Sequence, residues 1–371
     1  MADAYAKLTR KAGICFVTRG PGASNASIGV HTAFQDSTPL ILFVGQVGSE
    51  FSDREAFQEL DYRQMFGQMA KWVAQVNSTD RIPEYVTKAF QIATSGRPGP
   101  VVLALPEDVL SSTSKAIDGK RYKKIKASAS PDDFDKVFSL LEASRYPLLL
   151  LGGSDWSPKA SESIEQFAGE YCLPVSCTFR RQNLINNSHD SYCGDVGIGV
   201  NPALKSHILS SDLIIAVGPR LGEITSSGYT LFQNSNLNKK LVHVHQGVEE
   251  LGTVYSADLM INSGMEEFTS GLLNYEKNQI GNTWGEWTKK LRGDYLKTLE
   301  VGELSEDFAD LSLFVDKLKT KITPDAIITN GAGNYTGWIQ RYWQYSRAGA
   351  QLAPTSGAMG YGVPSGVAAG L

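Results

Sequence analysis

The chain has 371 residues, of which 42% are hydrophobic and 20% charged, and its formal net charge is −4. This length suggests two or three domains, and the 36 glycines fit an α/β enzyme better than a disordered or fibrous chain. Acidic and basic residues are interspersed, which gives no electrostatic case for binding nucleic acid. The longest apolar run is too short for a membrane span, and the four cysteines lack metal-ligand spacing, so we expect a reducing, cytoplasmic compartment.

The first part of the chain alternates helix-like and strand-like segments. Buried strands are predicted from short β-rich or apolar runs at residues 13–18, 39–44 and 100–105. Helices are predicted at residues 1–8, 25–34 and 83–95. This β-α-β-α order predicts a parallel sheet with helices on both faces.

A second series follows residues 113–132, a Ser-, Lys- and Ala-rich stretch that is typical of a solvated linker. Its predicted elements are strands at 147–151, 173–178, 213–217 and 241–244 and a helix at 160–171. Residues 276–305 mix aromatic and charged side chains, which indicates a surface helical connector. A third series then starts with a helix near residue 311, a strand at 326–329, a glycine turn and a helix through 338.

The sequence therefore predicts an α/β fold of three parallel-sheet units, of which the first and third are incomplete. We place the first unit at residues 1–112, the central unit at 133–275 and the start of the third at 306–371. The segments 113–132 and 276–305 connect them.

Four glycine-containing or polar segments are candidates for a ligand site. The first is Gly20-Pro21-Gly22 with Asn25, where glycine permits close backbone approach to a ligand and proline fixes the turn. The same residues also fit a plain strand-to-helix turn with Ser24 or Asn25 as the N-cap.

The other three segments are equally open when they are considered separately. Ala56-Phe57-Gln58-Glu59 follows Gly45-Gln46-Val47 and also fits the start of a surface helix. Residues 331–335 follow a strand and precede a helix, an arrangement that favours anion binding. Residues 357–364 also fit a glycine-rich entry into a helix.

In their order and spacing, the four segments resemble the thiamine diphosphate site of acetolactate synthases and their pyruvate oxidase-like and carboligase relatives. The resemblance extends over essentially the whole chain. It implies a pyrimidine-binding first unit, a Rossmann-like central unit and a diphosphate-binding third unit. It also implies that Gly20, Pro21, Gly22 and Asn25 line the aminopyrimidine ring, in a segment that differs from the family pattern only by Ser24 in place of threonine.

The same resemblance assigns the remaining site residues. Phe57 and Gln58 would face the substrate end of the cofactor, and Lys71 matches a lysine near the active site. The Gly357 carbonyl would accept a hydrogen bond from the cofactor's 4′-amino group, while the Met359 side chain would wedge between the two rings.

Residues Gly333, Asn334 and Tyr335 would hold one end of the diphosphate. Acetolactate synthases typically carry Gly-Gln-His at these positions, so the chain departs from that pattern here.

Two functional elements of the family have no counterpart in the sequence. The catalytic glutamate would precede Met1, and the Gly-Asp-Gly…Asn motif that holds Mg²⁺ would follow Leu371. We therefore expect that the Mg²⁺ ligands lie outside this chain, that no residue in it binds a metal, and that the chain is the middle of a longer enzyme and is inactive by itself.

The central unit leaves the question of FAD open. Acetolactate synthases bind FAD there, and residues 151–153 and 217–220 lie at strand ends, where nucleotides bind in such sheets. No full G-x-G-x-x-G motif is present, and His243 and His245 stand where FAD-binding relatives usually have acidic residues. The segment fits either an FAD site or an empty nucleotide fold, and the histidines fit either structural roles or a metal pair.

The resemblance implies decarboxylation of a small-molecule 2-keto acid, usually pyruvate, followed by attack on a second carbonyl compound. It also implies a homodimer or homotetramer, because the two half-sites belong to different subunits. One alternative is a thiamine diphosphate-dependent carboligase or lyase that acts on another 2-keto or 2-hydroxyacyl compound. Another is a noncatalytic nucleotide-binding or subunit-interaction protein.

Overall fold

The computed structural model describes residues 1–232, 239–275, 284–302 and 310–371, which form two compact units. The first unit comprises Met1–Ile125 with Pro354–Ala358 and Val363–Leu371. The second unit comprises Lys126–Ala353 with Met359–Gly362.

The first unit is built on a four-stranded parallel sheet of order β1-β2-β4-β3. Its strands are β1 (Gly13–Val17), β2 (Leu40–Gln46), β3 (Trp72–Gln75) and β4 (Pro100–Pro106). Its helices are α1 (Ala2–Thr9), α2 (Gly20–Gln35), α3 (Tyr62–Phe66), α4 (Ile82–Thr94) and α5 (Glu107–Ser111). Helices α2 and α3 pack on one face and α4 on the other, which explains why β2 and β4 are almost continuously apolar.

The second unit contains a six-stranded parallel sheet of order β10-β9-β8-β5-β6-β7. Its strands are β5 (Pro147–Leu151), β6 (Val175–Cys177), β7 (Tyr192–Asp195), β8 (Leu213–Val217), β9 (Lys240–His245) and β10 (Leu259–Asn262). The helices that accompany it are α6 (Pro131–Ala143), α7 (Pro158–Glu170), α8 (Pro202–Ser210), α9 (Met265–Asn274) and α10 (Gly285–Lys297). Alternate residues of β5 enter two separate apolar clusters, so this sheet is also covered on both faces.

A third, two-stranded parallel sheet lies in the second unit. Its strands are β11 (Ile328–Thr329) and β12 (Gln351–Leu352), and the helices of this region are α11 (Leu311–Lys319) and α12 (Thr336–Tyr342). The last helix, α13 (Gly362–Gly370), belongs to the first unit except for Gly362. All strand pairs in the described residues are parallel, which confirms the predicted α/β class with three parallel sheets.

Three element predictions need correction or comment. Helix α2 begins at Gly20 and not at Asn25, so Gly20-Pro21-Gly22 forms its first turn. Within the predicted connector, Trp284, Leu291 and Tyr295 are buried in the second unit, so one face of α10 packs against its core, and the connector role stays a prediction. Residues 276–283 and 303–309, including the predicted boundary at 306, lie outside the described residues.

Within the predicted linker 113–132, residues 113–130 contain neither helix nor strand, and α6 begins at Pro131. The linker role of this stretch stays a prediction. In the described ranges, no helix has both the length and the apolar character that a membrane span requires.

Candidate functional site

The first candidate segment lies at the carboxyl edge of the four-stranded sheet, where β1 leads directly into α2. Arg19 occupies the N-cap position, and its guanidinium forms an ion pair with Glu107 at 3.0 Å. Pro21 stands in the first turn, and the helix has no side-chain cap hydrogen bond. The alternative of a turn capped by Ser24 or Asn25 is therefore wrong, and Asn25 is an exposed residue within the helix.

The structure brings the first two segments together through their backbones. The Gly20 N–H donates a hydrogen bond to the Gln58 carbonyl at 3.0 Å. A Cβ atom at Gly20 would lie 2.9 Å from that oxygen, so the contact requires glycine. At Gly22, a Cβ would lie 2.9 Å from the Thr18 methyl group, and a glycine there lets the turn pack closely as well.

The second segment is a tight loop and not the start of a helix. Asp53, Glu55 and Gln58 all have positive φ angles, of 62°, 54° and 66°, which non-glycine residues adopt rarely. The Phe57 side chain is 79% exposed. A large apolar side chain held out of the core in this way fits the predicted role of a wall for a bound ligand.

Gln46 is a functional candidate that the sequence reasoning quoted but did not select. It ends β2, and its buried side chain donates to the Leu60 carbonyl at 2.9 Å and accepts from the Val47 N–H at 3.0 Å. The available signal was its place at the carboxyl end of a buried strand, where ligands of α/β sheets bind. A cavity of about 540 Å³ lies beside it, lined also by Glu59 and Tyr62, and is of a size typical for small-molecule sites.

Lys71 does not lie near Gly20 and Gln58. It immediately precedes β3 and therefore lies at the amino-terminal edge of the sheet, opposite the edge that carries Gly20 and Gln58. Its ammonium group donates to the carbonyls of Ile92 and Ser95, both at 2.6 Å, at the end of α4. Its role near an active site stays a prediction from the resemblance.

The third segment forms a turn between β11 and α12. The Gly331 N–H donates to the Tyr335 hydroxyl at 3.0 Å, and Gly333 adopts a φ of 134°. Asn334 and Tyr335 are exposed, and α12 has only seven residues. The Gly331 N–H is thus occupied by the tyrosine hydroxyl, and the binding of a diphosphate at this turn stays a prediction.

The fourth segment is packed against the third by its backbone. The Thr329 hydroxyl donates to the Gly362 carbonyl at 3.0 Å, and a Cβ at Gly362 would lie 3.3 Å from the Gly331 nitrogen. Gly357 has a φ of 69°, and a Cβ there would meet no atom within 4 Å. The Met359 side chain is 84% exposed, which is compatible with its predicted contact with a ligand ring.

The two residues that immediately precede the fourth segment are held at the far end of α2. The buried Asp36 carboxylate accepts from the Thr355 N–H at 2.8 Å and from the Thr355 hydroxyl, and Ser356 hydrogen-bonds Thr32 at 3.2 Å. At 1.5 Å per residue, Thr32 is ~18 Å along the helix from Gly20. Within one chain, the anchored residues 355 and 356 therefore lie far from the first segment.

The strand ends proposed for FAD are closed by groups of the second unit itself. A Cβ at Gly153 would lie 1.9 Å from the Gly218 carbonyl, so the turns after β5 and β8 are in direct contact. Trp156 donates to the Gly152 carbonyl and Arg181 to the Gly153 carbonyl, both at 2.7 Å. Because of these contacts, the two turns do not form a preformed dinucleotide-binding site. FAD binding stays a prediction from the resemblance.

The two histidines of β9 have backbone partners. His243 hydrogen-bonds the Pro219 carbonyl at 2.8 Å, and the His245 ring contacts the backbone of Gly247. Burial lowers the pKa of His243 and lowers the pKa of His245 to about 4, against a smaller opposing effect of Glu250. No group of three or more His, Cys, Asp or Glu side chains that could hold a metal occurs in the part of the chain that the structure describes.

Comparison with known families agrees with this geometry. The family described as thiamine pyrophosphate enzyme, N-terminal TPP binding domain, matches residues 1–65, which include the joined first and second segments. The family described as thiamine pyrophosphate enzyme, central domain, matches residues 134–272, which contain most of the six-stranded sheet unit.

The chain is also similar to acetolactate synthases over its whole length. It is 28% identical to the acetolactate synthase large subunit of Lactococcus lactis, covering 100% of this chain and 64% of the relative. Identity to the large subunit of Corynebacterium glutamicum is 28%, covering 99% and 60%. Identity to the mitochondrial acetolactate synthase of Schizosaccharomyces pombe is 26%, covering 100% and 59%. The chain thus spans less than two thirds of the length of these curated relatives.

Proposed function

Because the chain belongs to the thiamine pyrophosphate enzymes, we propose that it acts in an enzyme of the acetolactate synthase type. The reaction would decarboxylate pyruvate and join the remaining two-carbon unit to a second pyruvate, giving 2-acetolactate and CO₂. The observation that carries this proposal is the hydrogen bond from the Gly20 N–H to the Gln58 carbonyl, which unites two segments within the matched TPP-binding region.

The residues at this edge have separate roles in the proposed reaction. Thiamine diphosphate, when bound, supplies the electron sink that decarboxylation needs. The first turn of α2, with Gly20 and Pro21, would present backbone to the aminopyrimidine ring. The exposed Phe57 would form an apolar wall that excludes water from the reacting carboxylate, and the polar Gln58 side chain would orient it.

We also propose that the site is completed by a second copy of the chain. The contacts of Asp36 with Thr355 support this, because they hold the chain just before the fourth segment at the end of α2 that is remote from Gly20. If both half-sites contact one cofactor, two chains must contribute to each site, as in a symmetric dimer. Mg²⁺ would compensate the diphosphate charge, as the resemblance implies.

The test is a reaction assay on the native protein, purified from the cells that produce it. Purified protein is incubated with pyruvate, thiamine diphosphate and Mg²⁺, and CO₂ and acetolactate are both quantified. The proposal predicts cofactor-dependent release of one CO₂ per acetolactate. Absence of any cofactor-dependent turnover, together with absence of thiamine diphosphate binding, would overturn it in favour of a noncatalytic protein.

A second candidate keeps the cofactor and changes the substrate. Asn334 and Tyr335 replace the Gln-His typical of acetolactate synthases, and the Tyr335 hydroxyl engages the Gly331 N–H. This difference favours a carboligase or lyase acting on another 2-keto or 2-hydroxyacyl compound. Cofactor-dependent CO₂ release from a different 2-keto acid, without acetolactate formation from pyruvate, would support that alternative.

A further inference from the structure

Glu59 bridges two points of the loop that carries Phe57 and Gln58. One carboxylate oxygen accepts the Asp53 N–H at 2.8 Å, and the other accepts the Ala56 N–H at 3.0 Å. The Glu59 N–H in turn donates to the Ala56 carbonyl at 2.9 Å. A single side chain therefore fixes both ends of the segment 53–56.

This bridge explains how an unfavourable backbone conformation is maintained. Asp53, Glu55 and Gln58 all adopt the left-handed region, although none is a glycine. Such residues persist only where surrounding contacts determine the conformation, and they concentrate at functional sites. The Glu59 carboxylate supplies such contacts. It binds the N–H of Asp53 itself, and it binds the N–H of Ala56, the residue that follows Glu55.

The same loop conformation sets the contact with α2. Gln58 directly precedes Glu59, and its carbonyl accepts the Gly20 N–H at 3.0 Å. We propose that Glu59 is a positioning residue, which holds residues 53–58 so that the Gln58 carbonyl fixes the first turn of α2 in its ligand-binding shape. The importance of this role for catalysis rests on the proposed function, but the role itself is a property of the unliganded protein.

The chemistry of Glu59 favours positioning over proton transfer. The N–H groups of Asp53 and Ala56 hold the pKa of the Glu59 carboxyl below its usual value, so the group stays ionised near neutral pH. An ionised carboxylate that already accepts two backbone N–H groups is suited to order a loop.

The test compares Glu59→Gln with Glu84→Gln by amide hydrogen exchange at single-residue resolution in the protein without cofactor. A glutamine has one acceptor oxygen, and its NH₂ group would face a backbone N–H. We expect exchange at Asp53, Ala56 and Gly20 to accelerate at least ~10-fold in Glu59→Gln, from the loss of these hydrogen bonds. Glu84, which pairs with Arg81 on the surface, is the matched control and should leave all three amides unchanged.

The decisive amide is that of Gly20. Faster exchange at Asp53 and Ala56 with an unchanged Gly20 would overturn the proposal, because Glu59 would then order only its own loop. If Glu59→Gln accelerates exchange throughout the protein, the Glu59→Asp variant is used to test the proposal instead. Its shorter side chain cannot reach both N–H groups, so it should accelerate the Gly20 amide while distant amides stay protected, and an unchanged Gly20 amide would again overturn the proposal.

A thiamine diphosphate titration separates this role from the proposed function. We expect Glu59→Gln to weaken binding about 10-fold without lowering the Tm more than Glu84→Gln does, since the loop lies outside the apolar core. If the exchange results are as expected but the wild-type protein binds no thiamine diphosphate, the positioning role stands and the proposed function fails.

Discussion

The backbone N–H of Gly20 and the carbonyl of Gln58 are joined by a hydrogen bond of 3.0 Å, which links the first turn of α2 to the loop after β2. A Cβ at Gly20 would lie 2.9 Å from that carbonyl oxygen. The shape of this edge of the sheet therefore depends on the absence of a side chain at position 20.

Gly20→Ala should push the Gln58 loop away from α2 and weaken thiamine diphosphate binding at least ~10-fold, because the added methyl group cannot be accommodated beside a backbone oxygen. Gly29→Ala is the matched control in the same helix, where a Cβ meets no atom within 4 Å. It should leave binding unchanged and raise the free energy of unfolding by about 0.5–1 kcal/mol. Isothermal titration and chemical denaturation measure both effects. Equal binding by the two variants would contradict the proposed contact.

Phe57→Ala should reduce cofactor-dependent decarboxylation at least ~10-fold, because water would reach the reacting carboxylate. The free energy of unfolding should change by less than about 0.5 kcal/mol, since the side chain is 79% exposed and contributes little to the core. Phe51→Ala, at another exposed phenylalanine of the same region, should leave both quantities unchanged. Steady-state kinetics with pyruvate and urea denaturation provide the measurements. Loss of stability without loss of rate would assign Phe57 a structural role.

Asp36→Ala should destabilise the first unit by about 3–5 kcal/mol, because it removes a buried carboxylate that pairs with Lys7 and accepts the Thr355 N–H. Asp61→Ala removes only an exposed N-cap of α3 and should cost about 1 kcal/mol. Denaturant titration distinguishes the two values. A similar, small effect of both substitutions would show that the contact with Thr355 is dispensable.

The contribution of His245 to the stability of the second unit should decrease as the pH falls from about 6.5 to about 4. The pKa of His245 is lowered to about 4 by burial, whereas an unfolded histidine titrates near ~6.5. In this window the unfolded His245 ring binds a proton that the folded ring does not, so this ring favours unfolding in acid, and its contribution to stability is fully present above the window. Burial raises the pKa of Asp195 to about 7, and this carboxyl acts in the opposite direction.

His245→Gln should therefore lower the slope of Tm against pH between about 4 and 6.5, because it removes a group that destabilises the fold as the pH falls. His31→Gln, an exposed position on α2, should preserve the wild-type profile and is the control. An unchanged slope in His245→Gln would show that this ring is not responsible for the acid sensitivity.

The sequence predicted the sheets well because β2, β4, β5 and β8 are covered on both faces and thus nearly continuous in apolar residues. The start of α2 was predicted five residues late. Gly20-Pro21-Gly22 indicated a turn, but proline is also favoured in the first turn of a helix, and here the helix begins directly after the strand.

The parts of the candidate site that depend on tertiary contacts could not be predicted from the sequence. Nothing in the order of residues indicates that Asp36 meets Thr355, which lies 319 positions away. The motif around Gln58 was recognised, but the bridging role of Glu59 depends on left-handed backbone angles that local propensity disfavours. Lys71 illustrates the same limit, because a position in the sequence does not specify which edge of the sheet a side chain reaches.

Subunit complementation tests the proposal that one thiamine diphosphate site is built from two copies of the chain. Gln58→Ala and Met359→Ala, one change in each half-site, are produced separately and also together with distinguishable tags. Each variant alone should be nearly inactive, and the mixed preparation should recover about a quarter of the wild-type activity, because half the dimers are mixed and each has one intact site of two. Mixed dimers that form in the expected proportion and show no recovered activity would contradict the account.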